Sequence, residues 1–208
     1  MGLFGQVGNP TNISDQNMDG VFGVSDLEHG IANDFLEGRT GRFQILDTGN
    51  VGSVSDITIQ RGFNQSDIIE VEFIDIAPST DNQNLQVQFF ESGVLESASV
   101  YDRAYNRMDS SNTNTFTISS SASSLVIADG VGNATYEAVS SACLTMFGHN
   151  TSNGSTQFFY KSVYLNASGN VTSIWAGGEL PQASTVDGIK VFFSSGQSKG
   201  QIKMFGYE

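Results

Sequence analysis

The sequence predicts a mainly β protein: an antiparallel, jelly-roll-like β-sandwich behind an N-terminal arm with one short helix. Three observations carry this expectation. Short runs from about Val54 onward alternate apolar and polar residues with period two, which puts successive side chains on opposite faces of a strand. Turn residues punctuate these runs at regular intervals, and no helical periodicity lies between them. The composition is rich in Ser, Thr, Asn and Gln, with 23 Gly and only 15% charged residues, as in turn-rich β proteins.

Residues 1–53 read as the arm, being Gly- and Asp-rich with little alternation. One helix is expected over Ser25–Leu36. Ser25 with Glu28 three residues on forms a capping-box pattern, Leu27, Ile31 and Phe35 share one face, and Gly38 is a suitable stop. Residues 54–208 read as the sandwich. Strands are expected at 54–60, then at Ile68–Ile76, where Ile69, Val71 and Phe73 alternate with Glu70 and Glu72 ahead of the Ala77-Pro78-Ser79 turn. Leu85-Gln86-Val87-Gln88-Phe89 is the cleanest alternation in the chain. Further strands follow at 98–108, 114–118, 123–128, 135–147, 156–167, 171–176, 186–194 and 200–207. They are separated by Ser92-Gly93, Asp129-Gly130, Asn153-Gly154, Ser168-Gly169-Asn170 and Ser195-Gly196. About ten strands without intervening helices point to two sheets packed face to face.

The net charge of −13 comes from 22 acids against 9 bases. Residues 1–110 hold 17 acids and 5 bases, and residues 111–208 hold 5 and 4, so the acidity belongs to the first half. Binding nucleic acid directly needs clustered Lys and Arg, and this balance argues against it. No window approaches the ~18 apolar residues of a membrane helix, so membrane insertion is not expected. The first residues lack the basic and apolar regions of a signal peptide, and a soluble chain made in a cytoplasm is expected. Cys143 is single and reads as a small buried hydrophobe. Seven Asn-x-Ser/Thr sequons are what an Asn/Ser/Thr-rich chain produces by chance.

The most specific local pattern runs from Asp15 to Leu27. Oxygen-bearing residues at loop positions 1, 3 and 5, Gly20 at position 6, an apolar residue at 8 and Asp26 at 12 make a calcium-loop spacing. Over residues 15–36 it resembles dockerin-type calcium repeats, which also continue into a helix. The resemblance implies Ca²⁺ held by the side chains of Asp15, Asn17, Asp19 and Asp26 and by the Val21 carbonyl. Position 12 is Asp where helix-loop-helix calcium proteins have Glu, and there is one copy where dockerins have two, so cohesin binding does not follow.

Other motifs carry less. Gly196-Gln197-Ser198-Lys199-Gly200 matches the G-x-S-x-G elbow of serine hydrolases, but it joins two expected strands as a hairpin loop, and His29 and His149 both precede it. His29 reads as a solvent-facing helix residue and His149 as a turn residue, and two isolated histidines with one cysteine make no zinc ligand set. Glu91, Glu96, Glu137 and Glu179 sit near strand ends with nothing to mark a catalytic pair, so no enzymatic activity is expected. Trp175, followed by Ala-Gly-Gly, with Tyr160 and Tyr164 nearby, offers a sugar-stacking platform; core packing is the competing reading for each ring.

Two C-terminal stretches, Val186-Asp187-Gly188-Ile189 running on to Ser194-Ser195-Gly196, and Gly200-Gln201-Ile202 running on to Phe205-Gly206-Tyr207, form a joint signature. It resembles a recurrent C-terminal ending of tailed-bacteriophage virion proteins. In these, D-G-I, an apolar strand, S-S-G, a short loop, G-x-I and a final aromatic-Gly close a β-sandwich. The upstream strand order is similar over residues 54–208. The resemblance implies a non-enzymatic structural component on the outer surface of a virion, as a capsid decoration, head fibre or tail fibre. It further implies contacts with other virion proteins through the arm and a homo-oligomer, expected to be a trimer. The alternative is a carbohydrate-binding adhesion module that recognises a host surface glycan through Trp175.

Overall fold

The computed structural model describes residues Gly41–Tyr207. Calcium-loop residues Asp15, Asn17, Asp19, Val21 and Asp26, the helix expected over Ser25–Leu36 and His29 lie outside the described residues. Among the described residues, fourteen strands build two antiparallel sheets. They are β1 (Arg42–Asp47), β2 (Val51–Val54), β3 (Ile57–Ile59), β4 (Ile68–Pro78), β5 (Gln83–Glu91), β6 (Val94–Leu95), β7 (Tyr101–Asp109), β8 (Thr113–Ala122), β9 (Leu125–Val131), β10 (Ser141–Phe147), β11 (Thr156–Leu165), β12 (Val171–Leu180), β13 (Val186–Phe193) and β14 (Ser198–Tyr207). The larger sheet has nine strands in the order β1-β14-β4-β10-β11-β12-β7-β8, with β2 also paired to β14. The smaller has five, in the order β3-β13-β5-β6, with β9 also on β5. The expected β-sandwich is the architecture.

Alternation explains which face each strand buries. Ile69, Val71 and Phe73 of β4, Leu144 and Met146 of β10, and Ile202 and Met204 of β14 point inward from the larger sheet. Leu85, Val87 and Phe89 of β5 meet them from the smaller sheet, beside Ile189 and Val191 of β13. Phe89 contacts Phe158 across the interior edge to face, with ring centroids 5.8 Å apart. Each buried chain of this size contributes roughly 1.5–3 kcal/mol relative to exposure, so the inner faces dominate stability.

Strands β4 and β14 pair in the larger sheet, while β5 and β13 pair in the smaller. The two connections therefore arch together from one sheet to the other. They are bonded to each other: Ser79 N–H donates to the Gln197 carbonyl at 2.9 Å, and Ser194 N–H to the Asn84 carbonyl at 2.9 Å. The connection at 194–197 is thus an arch between sheets, with Ser198–Gly200 already in β14, and not the hairpin expected from Gly196 and Gly200. Gly196 has φ 82°, and a Cβ there would lie 2.6 Å from Thr80 Oγ1, so only glycine fits where the arches touch. The signature residues from Asp187 to Tyr207 occupy β13, this arch and β14, next to β5 and β4 respectively.

Two differences from the sequence reading stand out. Strands β1 and β2 fall within the stretch assigned to the arm and pair with β14. Arg42-Phe43-Gln44-Ile45 does alternate, but the run is short and bounded by Gly41 and Gly49, which hid it. Cys143 is half-buried on the outer face of β10, between Glu72 and Lys161 in register. Partial burial, with the Glu70 carboxylate nearby, pushes its thiol up to about 11, so it stays protonated and unreactive at neutral pH.

Candidate functional site

Strand register places the sequence-predicted aromatic residues on opposite faces. On β11 the even positions Phe158, Tyr160, Ser162 and Tyr164 point into the sandwich, and the odd positions Phe159, Lys161 and Val163 point outward. Tyr160 is 1% exposed and Tyr164 3%. The Tyr164 hydroxyl donates to the Asp129 carbonyl at 2.7 Å and accepts from Asp129 N–H at 2.8 Å, a pair of hydrogen bonds to β9 that fixes it inside. Trp175 of β12 lies opposite Lys161, hence on the outer face, and is 61% exposed. The three rings therefore do not form one platform: Trp175 is available to a ligand, whereas Tyr160 and Tyr164 are core.

What surrounds Trp175 follows from the ladder. One row across the outer face reads Lys161, Trp175, Asn106 and Phe116, and the next reads Phe159, Gly177, Ala104 and Ile118. Phe116 is 66% exposed and Ile118 71% exposed; Phe159, Val163 and Met108 also face solvent. Apolar side chains that would be inner-face residues elsewhere are here left uncovered, because they point away from the smaller sheet. Phe159 also meets Phe147, with centroids 5.7 Å apart. Asn106 Oδ1, between Trp175 and Phe116, has no hydrogen-bond partner.

Gly177 and Ala104 leave the second row without side-chain bulk, and a shallow depression of about 300 Å³ lies there, bounded by Ile118, Asp102 and Glu179. A Cβ on Gly177 would meet nothing closer than the Phe158 carbonyl at 3.5 Å, so the space above it is open. Gly178 differs: a Cβ there would sit 2.0 Å from the Asp102 carbonyl, so its absence lets β7 approach β12. Asp102 and Glu179 are register partners, and Glu179 Oε2 accepts from Ser155 Oγ at 2.9 Å. Such a face can stack a flat apolar ring surface and accept hydroxyl hydrogen bonds at one end.

The other acids and histidine fall elsewhere. Glu91 and Glu96 lie close together on either side of the β5–β6 hairpin, and Glu91 accepts from Ser184 Oγ. Burial, then the neighbouring Glu96, pushes the Glu91 carboxyl up to about 7. Glu137 is buried and its Oε2 accepts from Ala134 N–H at 3.0 Å. His149 is 0% exposed, and its Nε2 lies 2.8 Å from the Phe63 carbonyl, which can only accept, so Nε2 carries the proton. Burial lowers its pKa, despite that bond. Sequence reasoning missed this role because a Gly-His-Asn triplet reads as an exposed turn. Ser198 is buried at the start of β14 with strand on both sides of the arch. Among the described residues, no group of three or more His, Cys, Asp or Glu side chains is arranged to hold a metal ion. Among the same residues, no helix is long and apolar enough to cross a membrane.

Comparison of the chain with protein-family models, with curated proteins and with solved structures finds no match.

Proposed function

We propose that this protein is a non-enzymatic structural component on the outside of a tailed-phage virion, attached through its N-terminal arm and displaying the sandwich outward. The observation that carries the reading is where the phage-like signature falls. Its Asp-Gly-Ile, Ser-Ser-Gly and final Phe-Gly-Tyr lie on the ribbon that joins both sheets. Extracellular endurance without a disulfide is consistent with the dense inner faces and the paired arches. The calcium loop at Asp15, Asn17, Asp19, Val21 and Asp26 would order the arm by neutralising its clustered carboxylates. Purified particles should contain the chain in fixed proportion to the major capsid or tail protein. Removing residues 1–40, which spares β1, should abolish incorporation while the sandwich melts normally. Equal incorporation of the shortened chain sinks the attachment role. Calorimetric titration with Ca²⁺ should give heat that Asp15→Ala removes; no heat at millimolar calcium sinks the metal.

A second reading has its own observation. The uncovered row around Trp175, with the depression over Ala104 and Gly177 and the carboxylates Asp102 and Glu179 at its end, suits a host surface glycan. In this reading Trp175 stacks on the sugar ring, and Tyr160 and Tyr164 take no part. A glycan array with hits that vanish in Trp175→Ala supports it, and hits that persist in that variant overturn it.

A further inference from the structure

Strand β8 ends the larger sheet and, among the described residues, pairs only with β7. An edge strand presents a row of unpaired backbone N–H and C=O groups, and proteins blunt such edges with charge, proline, bulges or brevity. The remaining edges here follow that practice. Strand β1 carries Arg42 and Asp47, β2, β3 and β6 are four, three and two residues long, and β9 is largely buried. Strand β8 has neither charge, proline nor brevity: it runs ten residues as Thr-Asn-Thr-Phe-Thr-Ile-Ser-Ser-Ser-Ala, exposed along nearly all its length, and its one register shift lies between Ser119 and Ala122, leaving Thr113–Ser119 regular. No charged residue occurs from Ser110 to Ala128, in a chain of 31 charged residues.

We infer that β8 is a self-association edge: two copies of this chain pair β8 with β8 antiparallel about a two-fold axis, joining their larger sheets into one. The partner's chemistry is read from the strand. A chain of net charge −13 repels its own kind over most of its surface, and β8 is where two copies meet without facing like charges. An axis normal to the sheet keeps outer faces together, which requires outward residues to face outward residues. The register centred on Thr117 does this, setting Phe116 opposite Ile118 of the second copy, twice, and Thr115 opposite Ser119. Both Phe116 and Ile118 are among the most exposed apolar side chains of the molecule, and this register covers them with each other. Facing strands with these contacts bury on the order of 1,000 Å² in total, about the threshold for a weak, reversible biological interface. The two Trp175 rows then continue across the axis as one face. The inference is independent of where the protein acts.

The test uses the full chain in light scattering after size exclusion, over a hundredfold range of micromolar concentration. The wild type should have the mass of two chains. Phe116→Glu with Ile118→Glu places four carboxylates at the axis; both positions are exposed, so thermal melting should hold while the dimer weakens at least tenfold. In a Cys143→Ser background, Thr117→Cys should give a disulfide-linked dimer under mild oxidation, since directly opposed Cα atoms lie about 4.5–5.5 Å apart. A monomer at all concentrations, as when residues 1–40 of the same chain cover the edge, overturns the inference, and so does an assembly of three. A dimer indifferent to the two glutamates places the interface elsewhere. A glutamate-sensitive dimer without the Thr117→Cys link overturns the register.

Discussion

Tyr101→Phe isolates one hydroxyl in the middle of the sandwich. Tyr101 is fully buried on β7, and its oxygen accepts from Phe89 N–H at 2.9 Å while donating to the Glu96 carbonyl at 2.9 Å. It therefore ties the larger sheet to β5 and to the residue after β6. Phenylalanine keeps the ring and its contact with Phe89, at 5.7 Å between centroids, so no cavity opens. What is lost is the acceptor for a buried main-chain donor, which costs about 1–3 kcal/mol; the Glu96 carbonyl, half-exposed, recovers its bond from water. A central loss of about 2 kcal/mol corresponds to a fall in Tm of roughly 4–8 °C for a chain of this length. Urea unfolding at pH 7.5 should show a lower midpoint with unchanged slope. A loss under about 0.5 kcal/mol refutes the claim that this hydroxyl satisfies an otherwise stranded donor.

The adjacent glycines of β12 should respond oppositely: Gly178→Ala forces a Cβ against the Asp102 carbonyl and should cost about 3 kcal/mol or more, whereas Gly177→Leu should fold normally and fill the depression. Thermal melting of both checks this, and equal losses refute it. His149 has its pKa lowered in the folded state, so the native form binds fewer protons than the unfolded chain. Stability is present above about 6.5 and falls as pH drops below it, and His149→Gln should flatten that slope in melts from pH 7.5 to 5. Glu91 acts in the other direction. Its carboxyl is raised from 4.5 to about 7, so stability declines as pH climbs through that window. Discounted for the solvent that reaches both carboxyls, the decline is on the order of 1 kcal/mol, and Glu91→Gln should remove it.

Strand positions and the two-sheet architecture were legible because period-two alternation reports burial directly, as at Leu85–Phe89 and Ile69–Phe73. The face of a strand was less so, although β11 held the clue. Gln157 and Lys161 mark the odd positions as exposed, which sends Tyr160 and Tyr164 inward and Phe159 outward. Trp175 could not be assigned alone, since its face depends on its register with Lys161, a pairing between strands that no local pattern contains. The same limit applies to the arch at Gly196. Glycine spacing marks a tight turn, but whether the flanking strands pair with each other or with two separate sheets is decided by β4 and β5. Non-local contact likewise buried His149 behind Phe63, whereas Glu91 and Glu96 meet through the short β5–β6 hairpin.

Cryo-EM of intact particles produced with this chain should show density for the two-sheet sandwich on the exterior, with residue 41 toward the particle and the Trp175 face accessible. A chain absent from washed particles, or one enclosed within the capsid, contradicts a structural role on the outside of the virion.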